Sequence, residues 1–310
     1  MIVFILRKLA TAVPVLLGVA FITLVLFDVA GGDPCLIKLG KNPSEEEVQL
    51  CHQALGLDQG LFWQYLDFLR QTATLDFGES WSYDTPVREM FARGLGPTLS
   101  LTVPAFLLGS AIAVALALLV AFYRGTWLDR VVTAGAIAGI SVSSLIYILV
   151  GQWLFADQLK LFPIWGYEFG PRAVSFLALP ILIWIALSVG TDVRYFRTVA
   201  LEEIGQDYVR TARAKGISEL RVLFVHVLRN CAVPIVTRMT VIMPFLITGS
   251  FLMEIFFGIP GLGSTLYTAI TNSDLPVVKA LTMLGATLYV LFNILADVLY
   301  AVFDPRIRLS

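Results

Sequence analysis

A chain of 310 residues that is 57% hydrophobic and only 15% charged departs far from a soluble domain, whose charged share is about 25%, and fits a bilayer instead. Its formal net charge of −1 at pH 7 leaves no overall basic field, so nothing in the global balance argues for nucleic acid and none is expected as a partner. With so few charges, their placement carries more information than their sum.

Crossing a hydrocarbon core of about 30 Å takes about 20 mostly apolar residues at a helical rise of about 1.5 Å. The first such run, 9–27, follows Arg7 and Lys8 as a signal h-region follows its basic flank. Its 19 residues exceed the about 7–15 of a signal, and it exits into Asp28-Val29-Ala30-Gly31-Gly32-Asp33-Pro34, so a retained span is expected. An extracytoplasmic loop, 31–96, comes next. In it Glu45-Glu46-Glu47 followed by Leu55, Leu57, Phe62, Trp63, Tyr65, Phe68 and Leu69 reads as amphipathic helix packed on the spans, since so many aromatics suit disorder poorly. Cys35 and Cys51 both fall in this loop. An oxidising compartment would allow them to form a disulfide, worth about 3 kcal/mol in the chain-entropy model; two free thiols are the alternative.

Beyond the loop, a core of 97–310 is expected to hold five more spans. Charge-free runs at 94–123, 131–156 and 173–191 each hold one. Two others, 231–257 and 280–303, are interrupted by Arg238 and Asp297, and Glu254 bounds the first. Six spans put both termini on one side. The segments on that side hold fourteen of the 22 Lys and Arg residues, and five of the remaining eight lie in the long loop, where positive charge votes weakly. Both termini and the basic segment 201–229 are therefore expected in the cytoplasm. Cys231, at the cytoplasmic boundary, is simplest as a small apolar residue.

Within 201–229, acidic and basic residues alternate with small ones. Gly216 stops one helical pattern, and Ser218 can cap a second short helix from Glu219. Apolar Ile217, Leu220, Val222 and Leu223 would make this helix-Gly-helix element a knob for a soluble partner. Taken alone, the pattern favours the blander alternative, a solvated basic loop that merely sets topology.

The order of short motifs resembles the dipeptide, oligopeptide and nickel branch of ABC-transporter permeases over nearly the whole chain. Arg7-Lys8 with Val13-Pro14-Val15-Leu16-Leu17-Gly18 and Gly32-Asp33-Pro34 resembles that family's first span and exit. Gly56-Leu57-Asp58-Gln59, Gln64-Tyr65-Leu66, Asp76-Phe77-Gly78-Glu79-Ser80 and Pro86-Val87 follow in its order. The strongest similarity is Gly205-Gln206-Asp207-Tyr208-Val209-Arg210-Thr211-Ala212-Arg213-Ala214-Lys215-Gly216, which resembles the family's coupling segment. Ile259-Pro260-Gly261-Leu262-Gly263 and Leu299 through Arg308 resemble two later signatures. Some positions depart. Arg210-Thr211-Ala212 stands where the broader importer motif has Glu-Ala-Ala, Leu228-Arg229 where it has Leu-Pro, and Ser143 where relatives commonly have proline, which predicts a missing kink. Arg238 and Pro244 are also atypical and would alter the lining of the pathway.

The resemblance implies a type I importer fold: an all-α membrane protein of six helices in a bacterial inner membrane, forming half of a pathway completed by a second homologous permease subunit. It further implies two cytoplasmic ATP-binding subunits and an extracytoplasmic substrate-binding protein. No GxxxxGK[ST] loop occurs in the sequence, so ATP and Mg belong to the ATPase partners and this chain needs no cofactor and no metal of its own. By the resemblance, Asp207, Arg210, Ala212, Ala214, Lys215, Gly216, Ile217, Ser218, Leu220 and Arg221 meet the ATPase, with the stretch 216–222 in its groove. Glu254 with Pro260, Gly261 and Gly263 suggests an outer gate, or else an interspan-paired carboxylate. Asp297, one turn from Asn293, suggests a structural polar bond between spans, because ionisable groups at a span centre cost about 2.5–3.5 kcal/mol unless they face protein or water; pathway lining is the other reading. His52 and His226 lie on opposite sides and cannot share a metal, and no nucleophile or acid–base pair suggests catalysis. Two other classes remain: an ion-coupled secondary transporter, which would transport without ATPases, and a purely structural scaffold. Whether the solute is a peptide, nickel or a metal chelate, or a glycan is open.

Overall fold

A computed structural model of the chain describes residues 2–30, 33–40, 43–249 and 251–303. The expected end motif beyond residue 303, with Arg306 and Arg308, lies outside the described residues. Helix α1 (Ile2–Ala30) is the first membrane rod and carries Pro14. Three shorter helices follow at its far end. Asp33 caps α2 (Pro34–Leu39) by accepting from the Cys35 N–H. Ser44 and Glu47 close a capping box on α3 (Glu45–Leu55), whose three leading glutamates suit the positive end of the helix dipole. Gly56, at φ 65°, turns the chain into α4 (Leu61–Thr74). A Cys35–Cys51 disulfide joins α2 to α3.

Helix α5 (Val87–Phe122) packs along α8 (Ala173–Ile204), the most extensive helix pair. Close approach is possible because the Cβ of a larger residue at Gly109 would lie 3.1 Å from Ser188 Oγ. Between them the chain forms α6 (Trp127–Ser141) and α7 (Ser144–Gly151), the latter running into a π-helical turn, Gln152–Gln158. A short helix, α9 (Asp207–Ala214), leads to α10 (Glu219–Arg221), a second π-helical turn, Val222–Val227, and α11 (Leu228–Thr248). After α12 (Phe251–Phe257) and α13 (Leu262–Thr271), α14 (Leu275–Phe303) runs back beside α1 and α11. Among the described residues, five helices are long and apolar enough to span a membrane, and six spans result when α6 and α7 with its π turn count as one. Among the described residues the only strand-like pairing is an isolated bridge, Glu79–Pro86.

Several expected elements differ in form. The run 131–156 is not a straight span: its two halves bend by 96° at Val142 and Ser143. The kink expected to be missing with Ser143 is therefore present. Ser143, in extended backbone, caps α7 through its hydroxyl to the Leu145 N–H, and the Tyr147 hydroxyl takes up the Gly139 carbonyl at 3.1 Å. A serine cap satisfies the new helix start by hydrogen bonding where proline would do so by lacking an N–H. The run 231–257 is also not one span. The spanning helix is Glu219–Thr248; it ends at Gly249, which has φ 78°, and 251–271 folds as a helical hairpin. Accordingly the second short helix expected after Gly216 is the first turn of this long rod. Lastly, α5 begins at Val87, so residues 87–96 of the expected loop are already helical and continuous with the second span.

Polar side chains in the helices pair across elements, as desolvation demands. Arg197 holds Asp129 through two nitrogens at 2.8 Å each, joining α8 to α6. Arg238 Nε donates to Asp192 at 3.2 Å and the guanidinium lies over the Tyr195 ring, joining α11 to α8. Lys8 meets Asp297 at 2.8 Å, placing early α1 and late α14 at one end of the bundle. Asn293 instead donates to the Tyr289 carbonyl of its own helix.

Candidate functional site

Two constructions stand out, at opposite ends of the Glu219–Thr248 rod. At the first, α9 is too short to persist alone and is held by its inward face. Val209 and Ala212 are buried among Val193, Phe196, Val222, Leu223 and Val227. Asp207 sits favourably in the first turn. Gly216, at φ 73°, ends the helix, its N–H donating to the Arg213 carbonyl and the next N–H, of Ile217, to Ala212. Space around Gly216 is open, so the backbone angle alone asks for glycine there, where other residues lose about 1 kcal/mol or more.

Across this turn the Arg213 guanidinium holds Glu219 by two bonds of 2.9 and 3.1 Å, fixing the angle between α9 and the rod. On the near side the Tyr208 hydroxyl donates to Glu203 at 2.8 Å; burial, and then the Glu203 carboxylate, push the phenol up to about 12, so it stays a donor. The result is an elbow with a fixed angle and a polar outer surface.

Of the residues expected at this elbow, Asp207, Arg210, Ala214, Lys215, Gly216, Ser218, Leu220 and Arg221 are exposed. Ile217 is half-buried against the core and Ala212 is buried. Val222 and Leu223, expected on the knob, are likewise core residues, because they sit on the inward side of the second π-helical turn. Leu220 is the apolar residue that stands out, at 67% exposure, with Phe224 and Val225 exposed beside it. The clamp Arg213–Glu219 was not singled out by sequence reasoning; their opposite charges flanking a glycine turn were the available signal.

The second construction surrounds Glu254, which has 0% exposure. One carboxylate oxygen accepts from Thr98 Oγ1 of α5 at 2.9 Å and the other from the Ser264 N–H at the start of α13 at 2.8 Å. Thr98 Oγ1 accepts in turn from the Leu262 N–H at 2.8 Å. The carboxylate thus serves the free N–H groups at the positive end of α13 from outside the helix, and α5, α12 and α13 meet on one group. Glycines make the room. A Cβ at Gly249, Gly261 or Gly263 would collide with the carboxylate. Pro260 leads into this turn and is exposed. Gly258 has φ 65° and its missing Cβ leaves room for the Trp165 indole, and the Gly166 N–H donates to the Phe257 carbonyl at 2.8 Å. Sequence reasoning named Glu254, Gly261 and Gly263 but neither Gly249 nor Thr98, the latter more than 150 residues away.

Beside the hairpin, Asp274 is buried and accepts from the Ser80 hydroxyl and from the Trp81 and Ser82 N–H groups. That gives the Gly78-Glu79-Ser80 motif a purpose: it fastens the 76–86 loop to the start of α14. Near α2, Asp33, Cys35 and His52 bring ligand-type atoms within 4.8 Å of one another. The Cys35 sulfur is spent in the disulfide, and His52 Nε2 lies 2.9 Å from both Asp33 oxygens, so the group is a hydrogen-bonded Asp–His contact beside the disulfide.

An all-helical bundle of six crossings, with a polar elbow at one end and a helical hairpin locked at the other, defines a multi-pass membrane transport subunit. The chain belongs to the binding-protein-dependent transport system inner membrane component family: that family's model matches residues 113–309, and the model of its N-terminal part matches residues 1–102. It is 36% identical over 308 residues to a putative peptide transport system permease protein of Brucella abortus, covering 98% of both chains. A probable peptide ABC transporter permease protein of Sinorhizobium fredii is 35% identical, with 99% of both covered. The dipeptide transport system permease protein DppB of Escherichia coli is 33% identical over 337 residues, again with 99% of both covered. The chain is thus a permease subunit of an ATP-driven importer in a bacterial inner membrane, a non-catalytic component that works with ATPase, substrate-binding and further permease subunits.

Proposed function

We propose that this chain forms one half of the translocation pathway of an importer for peptides or related small solutes, and that the elbow around Gly216 is where cytoplasmic ATPases grip it. The observation that carries the reading is continuity: the elbow leads without interruption into a single rod, Glu219–Thr248, whose far end adjoins the Glu254 hairpin. A helix of that length spans about 45 Å, so displacement of the elbow by ATPase closure moves the hairpin end as a lever does. Exposed Asp207, Arg210, Lys215, Leu220 and Arg221 are the contact surface; Ala212 and Ile217 hold the elbow to the bundle.

In this reading the elbow end faces the cytoplasm, as its arginines require, and the end bearing α2–α4 and the hairpin faces outward, where a binding protein delivers solute. The hairpin with Glu254, Pro260, Gly261 and Gly263 is the outer gate. An apolar cleft of about 700 Å³ between α5 and α11, lined by Phe106, Leu107, Ala111, Phe224, Leu228 and Met239 among others, reaches the elbow end of the rod at Phe224 and suits the seam with the second permease. ATP and Mg are bound by the ATPase subunits, and this chain holds neither.

Gly216→Pro tests the coupling. Proline cannot adopt φ 73° and lacks the N–H that donates to Arg213, so the elbow angle is lost while the spans are untouched. The complex should insert and assemble yet lose solute-stimulated ATP hydrolysis and uptake together. Normal stimulated turnover with normal uptake would overturn the assignment.

A further inference from the structure

Helix α4 is apolar on more of its circumference than its contacts within the chain use. Tyr65, Phe68 and Leu69 pack toward α1 and α14, yet Leu61, Phe62, Trp63 and Leu66 are 53%, 66%, 61% and 40% exposed. Exposure alone does not say what covers these residues. Their depth along α1 does.

The Tyr65 hydroxyl donates to the Leu17 carbonyl at 2.9 Å, and the Tyr65 ring meets the Phe21 ring edge-on with centroids 5.9 Å apart. Leu17 and Phe21 lie inside the charge-free run 9–27, about 15 and about 9 Å along the helix axis from Phe27 at its end. Lys279 confirms where that end lies, since its ammonium sits 5.9 Å from the Phe27 ring and 6.0 Å from the Phe68 ring. The Tyr65 ring is therefore at the level of Phe21, about 9 Å along α1 from the Phe27 end that Lys279 adjoins, where α1 exposes Phe21, Ile22 and Leu26. A charge-free span with those side chains outward faces lipid, and α4 extends the same surface.

We propose that α4 is embedded in the leaflet on its side of the membrane, with Leu61, Phe62 and Leu66 among acyl chains and Trp63 at the headgroup boundary. The helix has the pattern for it. Phe62, Leu66 and Ala73 form one exposed stripe, and Asp67, Arg70 and Gln71 lie off it. Aromatic rings favour the boundary, and helices of this kind bury their apolar face about 5–10 Å into it, the depth that Tyr65 indicates. The partner of this surface is lipid, and the water-facing part of the segment between α1 and α5 reduces to α3 and the 76–86 loop. This inference concerns depth and stands whichever face of the membrane the loop occupies.

Spin labels at Phe62→Cys and Leu66→Cys, on a Cys231→Ala background in the complex reconstituted in phosphatidylethanolamine and phosphatidylglycerol vesicles, read the depth. Both should collide several-fold more with oxygen than with a water-soluble nickel chelate, like a label at Ile22→Cys. A label at Glu46→Cys in α3 should show the reverse. If the α4 labels read like Glu46→Cys, or become shielded only when a substrate-binding protein is added, the surface faces water or a protein and the proposal fails. The unmodified complex gives an independent reading. A carbene reagent dissolved in the membrane should label the 61–70 peptide as heavily as 19–27; labelling no greater than in 45–55 overturns the proposal.

Discussion

Removing the Glu254 carboxylate should release the hairpin it ties to α5. In Glu254→Ala, the Ser264 N–H loses its acceptor, Thr98 Oγ1 loses the oxygen to which it donates, and both were buried against the carboxylate at 2.8 and 2.9 Å. A buried donor left without a partner costs about 1–3 kcal/mol, so two leave the local structure weaker by about 2–6 kcal/mol, before any relief from water entering the space. Glu254→Gln keeps the volume but sets an amide N–H₂ against one donor, and about 1–3 kcal/mol is expected. Hydrogen exchange mass spectrometry of the assembled complex is the assay, because it reads local opening without requiring the whole complex to unfold. Every 1.4 kcal/mol is tenfold, so the amides of 262–264 should exchange about 30-fold faster or more in the alanine variant, and about 10-fold faster in the glutamine variant. Amides of α5 beyond the first two turns should be unaffected. Unchanged exchange at 262–264 in Glu254→Ala would refute the claim that this carboxylate holds the hairpin.

Cys35→Ser with Cys51→Ser should loosen α2 against α3 by about 3 kcal/mol, seen as faster proteolysis within 33–55 while the spanning helices stay protected. Asp274→Ala removes the acceptor of three groups of the 80–82 segment, and exchange there should rise by one to two orders of magnitude, as about 1–3 kcal/mol implies; Asp274→Asn should retain part of the protection. The Arg213–Glu219 pair is 42% exposed on both sides, so breaking it should change stability by less than about 1 kcal/mol but reduce ATPase-coupled uptake. Swapping the charges, Arg213→Glu with Glu219→Arg, should restore uptake that either single change loses. Failure of the swap to rescue, with assembly intact, would separate the pair from the elbow's function.

The number and order of spans were legible from the chain alone, since hydrocarbon thickness sets a length that a charge-free run meets or does not. Gly216 was legible as a turn because its position between two helical patterns leaves few backbone options, and the motif order carried the family. What sequence could not show is where a run bends or stops short. The run 131–156 is free of charge throughout, and its 96° bend rests on a hydroxyl cap at Ser143 and on Tyr147 reaching back to Gly139, a contact made only once both halves have folded. Glu254 was read as bounding a span because its neighbours are apolar; its real surroundings come from Thr98 in α5 and Ser264 in α13. Val222 and Leu223 were placed outward because a helix-Gly-helix pattern gives no side, whereas the π turn and the packing of α9 rotate them into the core.

The sequence by itself determined a six-span transport subunit with a basic elbow, because hydrophobic length, charge asymmetry and motif order are properties of neighbouring residues. Tertiary structure alone decided that the elbow and the fifth span are one rod, that a buried carboxylate caps a helix on a different segment, and that α4 reaches the middle of α1. Those depend on which groups lose water together, and burial is a property of the folded chain and not of any stretch of it.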